Sequence, residues 1–403
     1  MKLLYNFFSS LVFSFLLFSC SKDSTVVEVS DNLSLSILTE FSANEESQTI
    51  AVTSNLNWTV VNDLSWLSIL PPSGSNNGTI FVSAEENTSY SERSGKITIK
   101  GGSISKVITI EQSGKENNGS SNGLDPNKAP SENFNLSTWK LNTPENNGNN
   151  LSKTISVTDI NNGYQNSNYF YTADDGGMVF KCPVNGYKTS ANTSYTRVEL
   201  REMLRGTNTS INTQGVNKNN WVFGTAPEAD KVAAAGFDGE MNATLAVNHV
   251  TTTGESGHIG RVIIGQIHAN NDEPIRIYYR KLKDNTLGSI YFAHEPTDGN
   301  GSEQWHEMIG SRSSTASNPS DGIALNEKFS YAIKVVGDIL TVTIYREGKE
   351  DVVKTVNMVN SGFNVSGQYM YFKAGVYHVN NSGDANDYAQ VTFYALEKTH
   401  TTN

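Results

Sequence analysis

The chain has 403 residues, with 30 Lys and Arg against 41 Asp and Glu and a formal net charge of −11. An acidic chain with no basic tract is not built to bind nucleic acid. Its length suits two domains plus a tether, and its two cysteines are too few for a disulfide framework or a Cys-based zinc site.

Residues 1–19 read as a targeting segment. Lys2 supplies a positive start, and residues 3–18 form an apolar run rich in Leu and Phe, short for a mature spanning helix. The run ends in Leu17-Phe18-Ser19-Cys20, a small residue followed by Cys, which resembles a bacterial lipoprotein signal. The resemblance implies cleavage before Cys20, lipidation of Cys20 and a membrane held through that lipid anchor only. The protein would then be an outer-membrane lipoprotein of the cell envelope, facing the surface or the periplasm. Residues 20–36 would be a polar tether. With Cys20 acylated, Cys182 has no partner; it follows a strand-like run and is expected to be a buried small hydrophobe.

Helical periodicity is scarce beyond this point. Short alternating stretches between Asn- and Gly-rich turns dominate, so the chain is expected to be all-β. In residues 37–113, the stretches 57–61, 66–69, 79–83, 95–100 and 106–110 read as strands, with turn chemistry at Pro71-Pro72-Ser73-Gly74. About seven short strands in so few residues suggest an immunoglobulin-like β-sandwich. Asn57-Trp58, Trp66-Leu67, Pro72-Ser73-Gly74 and the closing Thr109-Ile110-Glu111-Gln112-Ser113 resemble the BACON domains. That resemblance implies a carbohydrate-binding module or a spacer. Trp58 and Trp66 read either as a sugar-stacking platform or as core, and core is the commoner fate of Trp in a small sandwich.

Residues 114–130 have no hydrophobic period, many Gly, Asn and Ser, and read as a linker. Residues 131–403 then form a second unit large enough for one two-sheet core. Residues 232–236 and 243–247 fit strands beside the arginine-rich stretch described next, residues 331–345 fit a hairpin turning at Gly337-Asp338, and residues 391–396 close the unit. The natural solution is a concanavalin-like β-jelly roll with one concave face, wide enough for a polymer.

Three strands of this unit carry chemistry. In Arg197-Val198-Glu199-Leu200-Arg201, alternation puts Arg197, Glu199 and Arg201 on one face and Val198 and Leu200 on the other. Such a face is either solvated or a groove that grips an anion with arginine forks. Gln266-Ile267-His268 puts Gln266 and His268 on one face of a second strand. Tyr371-Phe372-Lys373-Ala374-Gly375-Val376-Tyr377 puts Tyr371, Lys373 and Tyr377 on one face of a third, with Gly375 leaving space between them. Arg, Gln, His, Lys and Tyr on three such faces can bind a carboxylate and move a proton, which favours the groove.

These three motifs in this order, preceded by Phe134-Asn135-Leu136-Ser137-Thr138-Trp139-Lys140-Leu141, resemble the alginate lyases of polysaccharide lyase family 7 over about residues 131–398. The resemblance implies β-elimination on a uronate polymer, alginate. His249, His258, His294 and His306 lie scattered outside the motifs with no close carboxylate spacing, so metal-independent chemistry without a cofactor is expected. Arg197 and Gln266 would neutralise the uronate carboxylate. His268 and Tyr377 would handle the protons, in an order the motifs leave open. Glu199 would orient an arginine, Lys373 and Arg201 would meet neighbouring carboxylates, and Tyr371 would support the site or only pack. A monomer is expected. After Tyr377 the chain departs from the family pattern with His378-Val379-Asn380-Asn381. A glucuronan or other uronan lyase on the same fold, or a glycan-binding surface lipoprotein without catalysis, are the alternatives. A jelly-roll glycoside hydrolase needs two carboxylic acids at fixed separation. Glu228-Ala229-Asp230 has Ala233 where the second glutamate would fall.

Overall fold

The computed structural model describes residues 30–87, 92–114 and 123–402. The targeting segment, Cys20, most of the tether and the middle of the expected linker lie outside the described residues. The chain divides into two compact units.

The first unit is a sandwich of two four-stranded sheets. One sheet has the order Leu33–Leu35, Glu46–Ser54, Gly78–Ala84, Leu67–Leu70; the other has Ser73–Ser75, Asn57–Val61, Arg93–Gly101, Ile104–Gln112. The stretch read as tether therefore ends in a strand, Leu33–Leu35, paired with Val52, Thr53 and Ser54. Alternation does the folding: Ile50, Val52, Ile80, Val82, Ile97 and Ile99 point inward, and their neighbours point out. Trp58 belongs to this core. It is buried, its Nε1 donates to the Asn76 carbonyl at 2.9 Å, and Gly74 and Gly78 leave its ring the room it fills. Trp66 is half-buried.

The second unit is a jelly roll of two large antiparallel sheets. The sheet that carries the motifs runs Ser152–Ile155, Trp139–Asn146, Arg197–Glu202, Tyr371–Tyr377, Arg261–His268, Ile275–Arg280, Leu287–His294, Gln304–Ile309. The second runs Phe170–Thr172, Met178–Pro183, Tyr388–Thr401, Gly236–His249, Lys328–Val336, Ile339–Tyr345, Val352–Asn357. One continuous core takes Leu141, Val198, Leu200, Ile264 and Phe372 from the first sheet and Phe180, Leu245, Ile333, Val342 and Phe393 from the second. The hairpin turns at Gly337 (φ +59°), as the sequence indicated. Cys182 is fully buried, its Sγ 3.4 Å from Thr196 Oγ1, and burial pushes its thiol up to about 12.

Residues 232–236 correct the sequence reading. Glu228–Ala233 is a short helix, and the strand that begins at Gly236 lies in the second sheet, not beside the arginine strand. The helix follows Pro227, has Glu228 and Asp230 in its first turn and ties Lys231 to Glu228 at 2.7 Å. Alanine-rich sequence with acids at the N-terminus favours helix over strand.

One buried charge ties the end of the arginine strand to the last strand. Glu202 is fully buried; its Oε1 accepts from Lys398 Nζ (2.7 Å) and His400 Nε2 (2.8 Å), and its Oε2 accepts from the Phe372 amide (3.0 Å). Burial alone would raise its pKa, but His400 and then Lys398 outweigh burial and hold it at about 2. The folded pKa lies below the unfolded one. This stabilisation is therefore fully present above about pH 4.5 and is lost as pH falls toward about 2, on the order of 3 kcal/mol in all. Glu202→Gln should lower the melting temperature at pH 7 and flatten its fall between these pH values, read by thermal unfolding. Parallel curves for variant and wild type would contradict the assignment.

Candidate active site

The three motif strands are adjacent, with Tyr371–Tyr377 in the centre. Arg197 pairs with Tyr377, Glu199 with Gly375 and Arg201 with Lys373 on one side. Gln266 pairs with Lys373 and His268 with Tyr371 on the other. The register therefore gathers all eight residues singled out in the jelly roll onto one face, turned away from the main core. Gly375 sits opposite Glu199 at φ +129°, where a Cβ would press on the Val198 carbonyl and the Phe180 ring. Only glycine accepts that backbone, so the central strand keeps its register there.

The face is not the solvated strand face that charged residues usually make. Glu199 is 2% exposed, Gln266 1%, Lys373 5% and Arg201 6%. Glu199 is the hub. Arg197 Nη1 donates to its Oε2 at 3.0 Å, Lys373 Nζ meets the same oxygen, and Gln266 Nε2 donates to Oε1. Burial would raise the Glu199 carboxyl, but Lys373 and then Arg197 overcome it and keep the acid ionised. A buried carboxylate with donors on both oxygens holds their side chains in one geometry. Lys373 is itself pushed down to about 8 by burial and then by Arg197.

His268 is held on three sides. Its Nδ1 lies 2.7 Å from the Ala269 carbonyl, which can only accept, so Nδ1 carries a hydrogen, and in the neutral ring the lone pair is then on Nε2. Its ring stacks on Tyr371 at 5.1 Å and 11°, and the Arg201 guanidinium lies 3.8 Å from the centre of the Tyr371 ring. Burial, then Lys373 and Arg197, drive the His268 pKa down to about 3, leaving the imidazole neutral. The Glu273 carboxylate, 3.2 Å from Nε2, acts in the opposite sense. Tyr377 lies under Arg197, with 4.0 Å between guanidinium and ring centre, and burial raises its phenol, so the phenol keeps its proton.

Two expected contacts differ from the sequence reading. Arg201 is turned inward. Its Nη1 donates to the Glu202 carbonyl (2.9 Å), and its Nη2 donates to the Thr213 carbonyl (2.8 Å) and Asn220 Oδ1 (3.2 Å), so the guanidinium anchors the following loop and braces Tyr371. Lys373 spends its charge on Glu199. Of the positions after Tyr377 that break the family pattern, His378 and Asn380 are buried, Asn380 holds Thr251 and Thr253, and Val379 packs with Ile263, Tyr278 and Tyr377 on the motif face.

Sequence reasoning missed Glu273, Arg276, Lys140 and Arg261. Glu273 and Arg276 come from the loop and strand after Gln266-Ile267-His268, where no periodicity marks them. Lys140 sits opposite Arg201 and is pushed down to about 8 by burial and then by the neighbouring cations Arg201 and Lys373. Arg261 is hidden by a β-bulge between Ile263 and Gly265. The bulge sends Val262, Ile264 and Ile267 into the main core but lets Ile263 pack with Tyr278, Tyr291 and Tyr377 on the motif face. Tyr331 of the other sheet fills the space at Gly265 and donates to the freed Ile264 carbonyl at 3.0 Å.

Comparison with known proteins gives the family and the fold of the second unit. A family model described as alginate lyase matches residues 134–400, and one described as a putative N-terminal binding domain, BACON, matches residues 56–113. An alginate lyase of Klebsiella pneumoniae is 55% identical over 280 residues, covering 68% of this chain and 91% of that protein. The crystal structure of the alginate lyase from Klebsiella pneumoniae superposes with a TM-score of 0.67 at 55% identity, over 68% of this chain and 98% of that one. An exolytic alginate lyase from Zobellia galactanivorans, 23% identical, shares the fold with a TM-score of 0.51 over 68% of this chain and 99% of that one. With its motifs on one face of a jelly roll and its second unit matched almost end to end, the chain belongs to the alginate lyase family.

Proposed function

We propose that this chain cleaves alginate by β-elimination, with Arg197 and Gln266 receiving the uronate carboxylate, His268 as base and Tyr377 as acid. The observation that carries the reading is the junction of Arg197, Gln266 and Lys373 on one buried carboxylate, on the same face as the His268 imidazole and the Tyr377 phenol. The proton at C5 of a uronate is hard to remove while the adjacent carboxylate is charged. Donors fixed before the substrate arrives stabilise the enolate-like transition state without reorganising. His268 Nε2 takes the C5 proton, a double bond forms between C4 and C5, the C4–O bond breaks, and Tyr377 gives its proton to the leaving glycosidic oxygen. Arg197 over the Tyr377 ring then favours the phenolate, and Glu273 favours the imidazolium. The two environments push the imidazole and phenol pKa values apart, which supports separate base and acid roles. Arg201 and Tyr371 position His268, and Glu199 positions Arg197 and Gln266.

The cellular setting is part of the proposal. Lipidation of Cys20 would hold the enzyme on the outer membrane, with residues 37–113 and the linker at 114–130 between anchor and lyase. Metabolic labelling with a palmitate analogue, lost in Cys20→Ala, tests this directly; labelling that persists in the variant would overturn it.

The catalytic roles are tested by following the ultraviolet absorbance of the conjugated product as the full chain acts on alginate. His268→Ala and Tyr377→Phe should each lower kcat about 10²- to 10⁴-fold. No absorbance rise with the wild type on alginate, while glucuronan gives one, would move the substrate; none on any uronan would end the lyase reading. In Glu273→Gln, loss of the carboxylate lowers the imidazole pKa further. The acid limb of kcat/KM should therefore move to lower pH, by about one unit or more. An unmoved limb would remove Glu273 from the site.

A further inference from the structure

The motif face does not end at Tyr377. Crossing the sheet from it, Ile263, Tyr278 and Tyr291 follow in register, and with Tyr377 and Trp305 they form a separate cluster on that face. Beyond them opens a cavity of about 520 Å³, lined among others by Arg261, Arg280, Tyr291, Trp305, Glu307 and Arg312. The Arg261 guanidinium lies 4.6 Å from the centre of the Tyr278 ring and 5.4 Å from that of Trp305, and Arg312 lies 4.9 Å from Trp305. Neither arginine has an ion-pair partner among the described residues. A guanidinium laid on an aromatic ring uses its face and keeps its in-plane N–H donors for other partners, the geometry a carboxylate needs. Arg261 gives part of its fork to Tyr291 while its buried Nε has no partner, and Arg312 stands at the exposed rim. Arg280 is committed instead to the Ile259, Ser256 and Arg312 carbonyls and acts as scaffold. Glu307 is the one acid lining the cavity; its Oε1 accepts from Ser311 Oγ and the Arg312 amide, and these bonds, with the Arg312 charge, lower its pKa.

The opposite charge lies at the other end of the same strands. There Glu273, Glu295 and Glu303 surround Arg276, next to Gln266. A polyanion leaving the catalytic centre is turned away from that acidic end and toward Arg261 and Arg312.

We infer that Arg261, Arg312 and Trp305 form a distal subsite for a further uronate unit of the polymer, beyond the residue that reacts. It deepens the lyase reading and rests on it for the identity of the polymer. Trp305 offers an apolar ring to a sugar face, and the two guanidinium forks take the carboxylate. Arg261 stands on the strand next to that of Tyr377, and the Trp305 ring reaches back from three strands further to within 5.4 Å of its guanidinium, so the subsite takes a unit further along the polymer than the one that reacts.

The test is calorimetric titration of the full chain carrying Tyr377→Phe, to slow turnover, with saturated alginate oligosaccharides of graded length. The affinity should rise in a final step when the oligomer becomes long enough. Adding Trp305→Ala or Arg312→Gln should abolish that step and weaken binding of the longest oligomer on the order of tenfold. Arg312 is exposed, so its variant keeps the test valid if Trp305→Ala fails to fold. An unchanged length dependence in Arg312→Gln, or equal weakening at every length, would overturn the subsite. Product formation by the chain with native Tyr377 is read separately. Its absence would count against the lyase reading, while the length step would still decide the subsite.

Discussion

A carboxylate buried to 2% exposure has to be neutralised where it stands, and Glu199 is neutralised by side chains from three different strands. Removing one partner of such a group leaves a charge without compensation, commonly at a cost of about 3–5 kcal/mol. The same interaction that makes the burial tolerable also holds Arg197, Gln266 and Lys373 at fixed positions around one point. The register of the sheet, the glycine at position 375 and the bulge at Gly265 all serve that convergence. A receptor for a uronate carboxylate results from arranging donors around an internal carboxylate first.

The field of the face is local. The chain carries −11 overall, yet Lys140, Arg197, Arg201 and Lys373 cluster on the motif face, and the neighbouring cations help lower Lys140 and Lys373 toward about 8. In a groove with apolar walls the near charges outweigh the distant ones, and salt screens the remainder. Acidic residues are not excluded from the face: Glu199 is buried at its centre, Glu307 lines the Arg312 end, and Glu273, Glu295 and Glu303 gather around Arg276, where Glu273 reaches His268. The Arg276 and Arg261 ends are opposite ends of the same strand pair, which is the charge separation that the proposed subsite uses.

Much of this was legible in the sequence because strand alternation is a strict rule. Arg197, Glu199 and Arg201 share a face whatever the rest of the chain does, and the same holds for Gln266 with His268 and for Tyr371, Lys373 and Tyr377. Alternation fails where the backbone breaks it. The bulge beside Gly265 reverses the parity of Arg261, so an arginine on the motif face reads as a core position. Alternation also says nothing of which way a long side chain turns: Arg201 was read as reaching for substrate and instead binds the carbonyls of its own following loop. Glu273 lies in a loop, where no period exists to find it. Residues 232–236 were read as strand because alanine is apolar, while the acids before them favour a helix turn.

The central claim is that Glu199 acts through Arg197, and a double-mutant cycle on kcat/KM tests it most directly. Glu199→Gln, Arg197→Lys and the double variant would be measured on alginate, with melting temperatures alongside to show that each is folded. If Glu199 holds the guanidinium for the substrate carboxylate, the double variant will be little worse than the poorer single one. Two losses that simply multiply would mean that the residues contribute independently, and the account of the site would be wrong.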